Sequence, residues 1–229
     1  NEFALAFELD SLEPLYLSNR AKSYHNDLND NENALIYFNA AITLAKENDV
    51  NKIDYSDDLP YYLYSRGIFF QNIYDYENAI NDFSTAIELQ NSEKDKMKYW
   101  LFLRRGQCYY DLNKYDLAIS DYEKVLDLAT TNVKKADCYH RIADSYRDLK
   151  KYKLALDCFL KALELDTSAY YYHINLAIIY YQYLNDNKKA LSSFNKAISL
   201  DTVNAVNYNY RADYFYFIND YENALLDYN

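Results

Sequence analysis

The sequence predicts an all-α protein built from stacked pairs of antiparallel helices, and two observations carry this prediction. First, the 229 residues include only 2 Gly and 2 Pro. Average usage is about 7% Gly and about 5% Pro, and β-sandwiches and α/β enzymes depend on many turns that contain these residues. Second, one pattern of small and aromatic residues recurs along nearly the whole chain. Such internal repetition is typical of helical solenoids.

The second half of each repeating unit contains an alanine that is followed, four positions later, by an aromatic residue. In complete units an Ala or Val comes three positions further on. These spacings keep the side chains on one face of a helix, which we call helix B. The anchoring alanines are Ala34, Ala79, Ala118, Ala155, Ala190 and Ala224.

The first half of each unit, helix A, contains a small residue that is followed by an aromatic residue three positions later. Two helices approach closely only where small side chains lie at their crossing, so these residues are expected there, with the aromatic rings filling the space beside them. One helix pair cannot bury this face alone, and neighbouring pairs must therefore stack. The pairs are Ala21/Tyr24, Gly67/Phe70, Gly106/Tyr109, Ala143/Tyr146, Ala177/Tyr180 and Ala212/Phe215.

These residues resemble the tetratricopeptide repeat family, whose unit of about 34 residues carries Leu-Gly, Tyr, Ala and Phe in this order. The sequence departs from the family in having Arg at position seven of four units, and it lacks the closing Pro. The resemblance implies a right-handed superhelical solenoid over residues 1–229 as a single array, with helices A lining a concave groove. The predicted repeats are 14–46, 60–91, 99–130, 136–167, 170–202 and a truncated 205–229.

Both ends of the sequence look truncated. Residues 1–13 match the tail of a helix B from a preceding repeat, and the last repeat stops partway through helix B. The chain is therefore expected to be a segment of a longer array or a trimmed product. Insertions are expected near 47–59 and 92–98, either as solvated loops or longer helices or, alternatively, as a lip on the groove.

No catalytic or metal-binding motif is found in the sequence. Cys138 and His140 lie two positions apart on a helix and therefore point to different sides. The chain contains no Gly-rich phosphate loop, no His-Glu-x-x-His motif and no nucleophile elbow. We therefore expect no enzyme activity, no metal and no cofactor.

The net charge and the number of cysteines limit the class of partner molecule and the cellular compartment that we expect. The formal net charge of -11 disfavours nucleic acid, which needs a cationic face. The charge either favours basic partners or simply keeps a Tyr-rich surface soluble.

Three cysteines without close pairs predict a reducing compartment, the cytoplasm. The truncated ends leave open a signal peptide upstream. No apolar run approaches the roughly 20 residues of a membrane span.

The resemblance also implies which side chains line the groove. Tyr, Trp and Arg dominate binding hot spots. Three of the arginines, Arg104, Arg141 and Arg147, would form a cationic centre able to hold a carboxylate. Alternatively, these arginines pair with Asp144, Asp148 and their neighbours within the solenoid. The candidate groove residues are Tyr61, Tyr64, Trp100, Arg104, Gln107, Tyr110, His140, Arg141, Arg147, Tyr171, Asn175, Tyr181, Tyr210 and Tyr216.

The predicted function is that of a protein–protein interaction scaffold which binds a partner peptide or protein segment in the concave groove. The identity of that partner is left open. As an alternative, the segment is a regulatory or substrate-recruiting arm of a larger enzyme whose catalytic domain lies outside these residues. A third possibility is a structural role, in which the uncapped ends associate end to end with other copies.

Overall fold

The computed structural model describes residues 13–46, 56–90 and 96–229, and within them it contains twelve α-helices and no strand. The prediction of an all-α protein is confirmed. The tail predicted for 1–13, except Glu13, and most of the insertions predicted near 47–59 and 92–98 lie outside the described residues. The helices are α1 Pro14–Asn26, α2 Asn31–Lys46, α3 Leu59–Asn72, α4 Tyr76–Leu89, α5 Lys96–Asp111, α6 Tyr115–Leu128, α7 Asn132–Asp148, α8 Tyr152–Leu165, α9 Tyr170–Ile178, α10 Asn187–Leu200, α11 Ala205–Phe217 and α12 Tyr221–Tyr228. A 3₁₀ turn, Ser56–Asp58, precedes α3, and a π-helical segment, Ile179–Tyr183, extends α9.

The helices pack in consecutive pairs, which we number as hairpins 1 to 6, each with a helix A followed by a helix B. The chain divides into two compact units, Asn1–Leu128 and Ala129–Asn229. The first unit contains hairpins 1 to 3, and the second contains hairpins 4 to 6. Inside each unit, helix A of a hairpin also packs against helix B of the hairpin before it. This stacking buries a face that one hairpin would leave in water.

Small residues lie where the two helices of a hairpin cross. The anchoring alanines of all six helices B are buried, and so are the Gly or Ala residues of all six helices A. A Cβ atom added to Gly67 would lie 2.6 Å from Cε1 of Phe83, and one added to Gly106 would lie 2.8 Å from Cε1 of Tyr122. The prediction that small residues permit this close approach is confirmed.

An arginine–aspartate ion pair joins the two helices of hairpins 2, 3 and 6. In each pair, Nε and Nη2 of the arginine donate to the two carboxylate oxygens over distances of 2.7 to 2.8 Å. Such two-pronged contacts are stronger and more directional than single hydrogen bonds. The pairs are Arg66–Asp82, Arg105–Asp121 and Arg211–Asp227.

Each of these arginines also contacts the preceding hairpin. Its Nη1 donates to a side chain on the preceding helix B, at 2.6 Å to Asn39 Oδ1, 3.0 Å to Ser84 Oγ and 2.6 Å to Asn195 Oδ1. The arginine therefore holds its hairpin against the preceding one, and it also joins the two helices of its own hairpin. We call the arginine, its aspartate and this acceptor the inter-hairpin triad.

Of the three hairpins without the triad, hairpins 4 and 5 replace both of its charged members, whereas hairpin 1 replaces only the aspartate. Hairpin 4 has Ile142 and Cys158 at the arginine and aspartate positions, and hairpin 5 has Leu176 and Ser193. In hairpin 1, Arg20 faces Tyr37 instead of an aspartate, with its guanidinium 4.6 Å from the ring centre. The arginine and the aspartate thus occur together or are both absent in hairpins 2 to 6, as expected for a partly buried charge that needs its partner.

Aspartates cap several helices B at their N-termini. The side chains of Asp75, Asp186 and Asp220 each accept a hydrogen bond from a backbone N–H in the first turn. Asp30 does the same for Asn33, whose side-chain amide lowers the pKa of the Asp30 carboxyl. These contacts satisfy N–H groups that have no partner within the helix.

Replacing Lys151 by aspartate should raise the free energy of unfolding by about 1 kcal/mol. Lys151 occupies the N-cap position of α8, and its side chain makes no capping hydrogen bond. An aspartate would supply that bond and would also place negative charge at the positive end of the helix. Chemical denaturation measures the gain. Lys151→Ala is the control, because it removes the lysine without providing a cap, and it should give no stabilisation. An equal gain in both variants would show that capping is not the cause.

Hairpins 1 and 5 each have one more residue than the other hairpins between the small residue of helix A and the anchoring alanine of helix B. They accommodate this residue in different ways. Ala177 and Ala190 are 13 positions apart, whereas Ala143 and Ala155 are 12 apart. Hairpin 5 places the additional residue in the π-helical segment Ile179–Tyr183. Hairpin 1 has the same spacing of 13, from Ala21 to Ala34, but lengthens the turn between its helices. Single-turn π segments are rare and usually arise from such an insertion in an otherwise α-helical stretch.

Candidate functional site

A cleft of about 300 Å³ opens between α1 and α3 of the first unit. These are two neighbouring helices A, so the cleft lies on the side where the sequence predicts a groove. Tyr61 and Tyr64, both predicted groove residues, line it. Its full lining is Lys22, His25, Asn26, Phe38, Tyr61, Tyr64, Ser65, Ile68, Phe69 and Asn72.

Polar groups surround an apolar floor in this cleft. The Nζ of Lys22 donates to the hydroxyl of Tyr61 at 2.9 Å and lies 4.8 Å from the centre of its ring. The rings of His25 and Phe69 pack nearly perpendicular to each other with 5.2 Å between ring centres. No carboxylate is among the lining residues of the cleft, although the chain as a whole is acidic. The cleft is therefore aromatic and locally cationic.

Hydrogen bonds define the orientation of His25 at the rim. Its Nδ1 lies 2.8 Å from Oδ1 of Asn31, which can only accept, so Nδ1 carries the proton. Its Nε2 then accepts from Nδ2 of Asn72 at 3.4 Å. The imidazole thus links the two helices of hairpin 1 to helix A of hairpin 2. Because both nitrogens are engaged, His25 forms a fixed edge of the cleft.

The other groove residues predicted in the first unit lie on α5, outside the cleft lining. Trp100 is 44% exposed, and Tyr110 packs against Tyr115 with ring centres 5.4 Å apart. Gln107 donates to Asp111 at 3.0 Å. Arg104 is half-buried, and its Nε has no hydrogen-bond partner among the described residues. The helix that carries them packs beside α3.

In the second unit, three predicted groove residues lie together between α7 and α9. His140 Nε2 is 2.8 Å from Nδ2 of Asn175, and the imidazole packs 5.3 Å from the ring centre of Tyr171. Phe159 and Tyr172 enclose it further. Burial lowers the pKa of His140, although nearby Asp144 and Asp137 oppose that shift. The ring is therefore a neutral packing element with limited contact to water.

The arginines of the second unit are paired within it. Arg141 donates to Asp137 at 2.9 Å. Arg147 contacts Asp144 at 2.6 Å and Asp148 at 3.3 Å. Pairing within the solenoid, the alternative stated for these arginines, is what the structure contains. Their charge is consequently offset by neighbouring carboxylates.

The three remaining predicted groove residues differ in exposure. Tyr210 is 41% exposed and Tyr216 is 62% exposed. Tyr181 is only 7% exposed and packs against Phe194, Tyr214 and Phe217. It therefore belongs to the core of hairpins 5 and 6. Tyr181 sits inside the π-helical segment, where the added residue changes the direction in which side chains point.

Lowering the pH from 7 to 5 should destabilise the chain, in part through His140. Because burial depresses its folded-state pKa below the ordinary value of about 6.5, the unfolded chain binds the proton first. Stability is thus fully present above that value and falls as the pH drops, by at most about 1.4 kcal/mol per pH unit for each histidine. Burial also lowers the pKa of His173, so both residues contribute.

Denaturation midpoints at pH 7 and pH 5 test this expectation. His140→Asn removes one titrating group, so the variant should lose less stability over this interval than the wild-type chain does. An identical loss in both proteins would exclude His140 as a source. The Asp30 and Asp186 caps add a further loss at lower pH, because hydrogen bonding lowers the pKa of each carboxyl.

The described residues contain no group of three His, Cys, Asp or Glu side chains that could hold a metal ion. Nor does any helix in the described ranges have the length and apolar character needed to cross a membrane.

Taken together, the stacked hairpins, the small residues at their crossings and the aromatic cleft define a helical-hairpin repeat protein. Profiles of the tetratricopeptide repeat match residues 98–168 and, in a second version, residues 16–48 and 170–204. These matches cover more than half of the sequence, and the chain belongs to the tetratricopeptide repeat family. In general terms it is therefore a protein-interaction scaffold.

Solved structures of other tetratricopeptide repeat proteins have a similar fold. MamA from Desulfovibrio magneticus RS-1 superposes with a TM-score of 0.66 and 23% identity, over 82% of this chain and 95% of that one. A tetratricopeptide repeat protein from Parabacteroides merdae ATCC 43184 gives 0.74 and 19%, over 93% and 77%. YrrB gives 0.63 and 19%, over 90% and 96%. Proteins of curated function give no match.

Proposed function

We propose that the cleft between α1 and α3 binds an extended segment of a partner protein. The observation that carries this proposal is the combination of an apolar floor, formed by Phe38, Ile68 and Phe69, with a rim of amide and amine groups. The floor accepts one or two apolar or aromatic side chains. The amides of Asn26 and Asn72 can donate to and accept from the backbone of an extended peptide.

The size of the cleft also favours a peptide. About 300 Å³ lies at the lower limit of pockets that enclose a whole small molecule, which range from about 300 to 1,000 Å³. A peptide needs only to insert a side chain and to lie across the rim. Tyr61 and Tyr64, which line the cleft, provide large contact areas that lose little conformational entropy on binding.

The structural comparisons support the same class of ligand. YrrB, which shares the fold at 19% identity, is described as a tetratricopeptide repeat protein with an unusual peptide-binding site. Cleft and partner segment together would make this chain a docking module, with affinity concentrated in a few aromatic contacts.

Selection of peptides from a random linear-peptide display library against the purified chain tests the proposal. Binding of dye-labelled selected peptides is then measured by fluorescence polarisation. We expect Asn72→Trp to weaken binding by at least about tenfold, or about 1.4 kcal/mol, because the larger side chain would fill the mouth of the cleft. Asn72 is exposed, so this change leaves the core intact.

Asn81→Trp is the matched control, because Asn81 is also an exposed asparagine but lies on the helix B of hairpin 2. It should bind the selected peptides as the wild-type chain does. Equal affinity of the wild-type chain and Asn72→Trp would place the binding site elsewhere, and a library that yields no enriched sequence would contradict peptide binding.

A further inference from the structure

Hairpin 4 differs from the other hairpins at the turn between its two helices. The turn residue with positive φ is asparagine in hairpins 1, 3, 5 and 6, because asparagine tolerates the left-handed conformation better than most residues. Hairpin 4 has Lys150 there, with a φ of 61°. The next residue precedes helix B and is aspartate in hairpins 1, 2, 5 and 6. Hairpin 4 has Lys151, which makes no capping hydrogen bond.

Both lysines are unfavourable for the local structure. Lysine gains nothing from the left-handed conformation, and Lys151 leaves the first N–H groups of α8 without a side-chain acceptor. No other hairpin combines the two departures, because in hairpin 2 Tyr74 precedes the capping Asp75, and in hairpin 3 Asn113 precedes Lys114. Positions at which a sequence gives up local stability are often those that serve a function. What the two lysines add is positive charge.

Further exposed lysines lie close to this turn. Lys153 follows two positions later, and Lys188 occupies the equivalent position in hairpin 5, directly before Lys189. The ring of Tyr152 stacks on that of Tyr183 with 3.9 Å between ring centres, so the turn of hairpin 4 adjoins the end of helix A in hairpin 5. The turns of the two stacked hairpins therefore lie side by side. We call the five exposed lysines of these turns the lysine edge: Lys150, Lys151, Lys153, Lys188 and Lys189.

The carboxylates of the same two turns are already engaged. Asp148 contacts Arg147 at 3.3 Å. Asp186 contacts Lys189 at 3.1 Å and also caps α10. By contrast, the equivalent turns of hairpins 1, 2 and 6 contain carboxylates and no lysine or arginine. Within the described part of the chain, three members of the lysine edge form no ion pair: Lys150, Lys153 and Lys188.

The acidic character of the chain does not extend to the second unit. Residues 129–229 contain 12 Lys and Arg and 12 Asp and Glu, so residues 1–128 carry the whole net charge of -11. The second unit is thus neutral as a whole, and the lysine edge is a local excess of positive charge on it. Such an excess attracts anionic groups at short range.

We propose that the lysine edge binds an acidic segment of a partner protein, a short run of aspartate and glutamate residues. Lysines without an internal counter-charge complement such a run. Tyr183 is 40% exposed and offers apolar contact beside the charges. The edge spans only two turns, and the next turn contains Asp220 and Glu222, whereas nucleic acid needs an extended cationic face. This site lies on the second unit and goes beyond peptide binding in the cleft of the first.

Binding of a dye-labelled hexaglutamate peptide, measured by fluorescence polarisation at low ionic strength, tests the proposal. The wild-type chain should bind hexaglutamate and not a hexaglutamine peptide. The double variant Lys150→Asn/Lys151→Asp installs the residues that hairpin 5 uses in its own turn, Asn185 and Asp186. It should weaken binding by at least about tenfold, or about 1.4 kcal/mol. Because the new aspartate caps α8, this variant should also resist urea better than the wild-type chain, which excludes unfolding as the cause.

Lys161→Asn/Lys196→Asp is the matched control. It changes the net charge by the same amount at two exposed lysines of the same helices B, each ten positions or about 15 Å further along its helix than the corresponding turn residue. It should bind hexaglutamate nearly as the wild-type chain does.

Four results would overturn the proposal. Equal binding of hexaglutamine would show that charge is not recognised, and full affinity of Lys150→Asn/Lys151→Asp would place the contact elsewhere. An equal loss in the control would mean that only the total charge matters. Tighter binding of a single-stranded oligothymidylate or of phosphatidylserine vesicles than of hexaglutamate, lost in Lys150→Asn/Lys151→Asp, would assign the lysine edge to nucleic acid or to a lipid surface instead.

Discussion

Replacing Asp121 by alanine should lower the free energy of unfolding by about 3 kcal/mol. The carboxylate is 6% exposed and Arg105 is 18% exposed, so the change leaves a guanidinium largely out of water without its counter-charge. The remaining hydrogen bond from Arg105 to Ser84 does not compensate for that charge. Urea denaturation followed by circular dichroism measures the loss.

The double variant Arg105→Ile/Asp121→Cys should recover most of this stability. It installs the pair that hairpin 4 uses at the same positions, Ile142 and Cys158. Replacing both partners of a buried ion pair by apolar groups is often nearly neutral, because the cost of removing two charges from water disappears with the attraction. If the double variant were as unstable as Asp121→Ala, packing of the aspartate rather than its charge would be responsible.

Replacing Phe159 by alanine should lower the free energy of unfolding by about 3 to 5 kcal/mol. The ring is 0% exposed and packs at the centre of hairpin 4, in a cluster with Ala143, Ala155 and residues of hairpin 5. Its removal loses the transfer free energy of the ring and leaves a cavity that neighbouring helices can fill only in part. Chemical denaturation again provides the measurement.

Tyr228→Ala provides the matched comparison, because Tyr228 occupies the same repeat position but is 48% exposed. It should cost far less than Phe159→Ala, because the ring lies largely in water and its hydrogen bond to Asp213 is exposed. If both variants lost a similar amount of stability, the two rings would be equally buried in solution, which would contradict the exposure of Tyr228.

Most of the fold can be predicted from the sequence, because the main requirement for close helix packing is a small residue at each crossing, which is a steric and local condition. A helix crossing needs a residue without a large side chain, and the six small residues of helices A and the six alanines of helices B occupy those crossings. The inter-hairpin triad was not predicted, although a signal for it exists. Arginine at position seven occurs with an aspartate 16 residues later in hairpins 2, 3 and 6.

The candidate site is less predictable, since exposure depends on small rotations of a helix. Repeat position indicated Tyr61 and Tyr64, which do line the cleft. The same reasoning suggested Tyr181, which the π-helical segment places in the core. The signal for that change is a spacing of 13 between Ala177 and Ala190, one more than in hairpin 4. Pairing of Arg141 and Arg147 depends on side-chain conformations that spacing does not determine.

The π-helical segment of hairpin 5 also shows how this architecture tolerates changes in length. An added residue turns every later side chain of an α-helix by about 100°, which would direct apolar groups toward water. Here the disturbance is confined to Ile179–Tyr183, and α10 still presents Ala190 and Phe194 to its neighbours. Single-residue insertions near the end of a helix A can thus accumulate during evolution without breaking the stack, and they offer a route by which individual repeats diversify their surfaces.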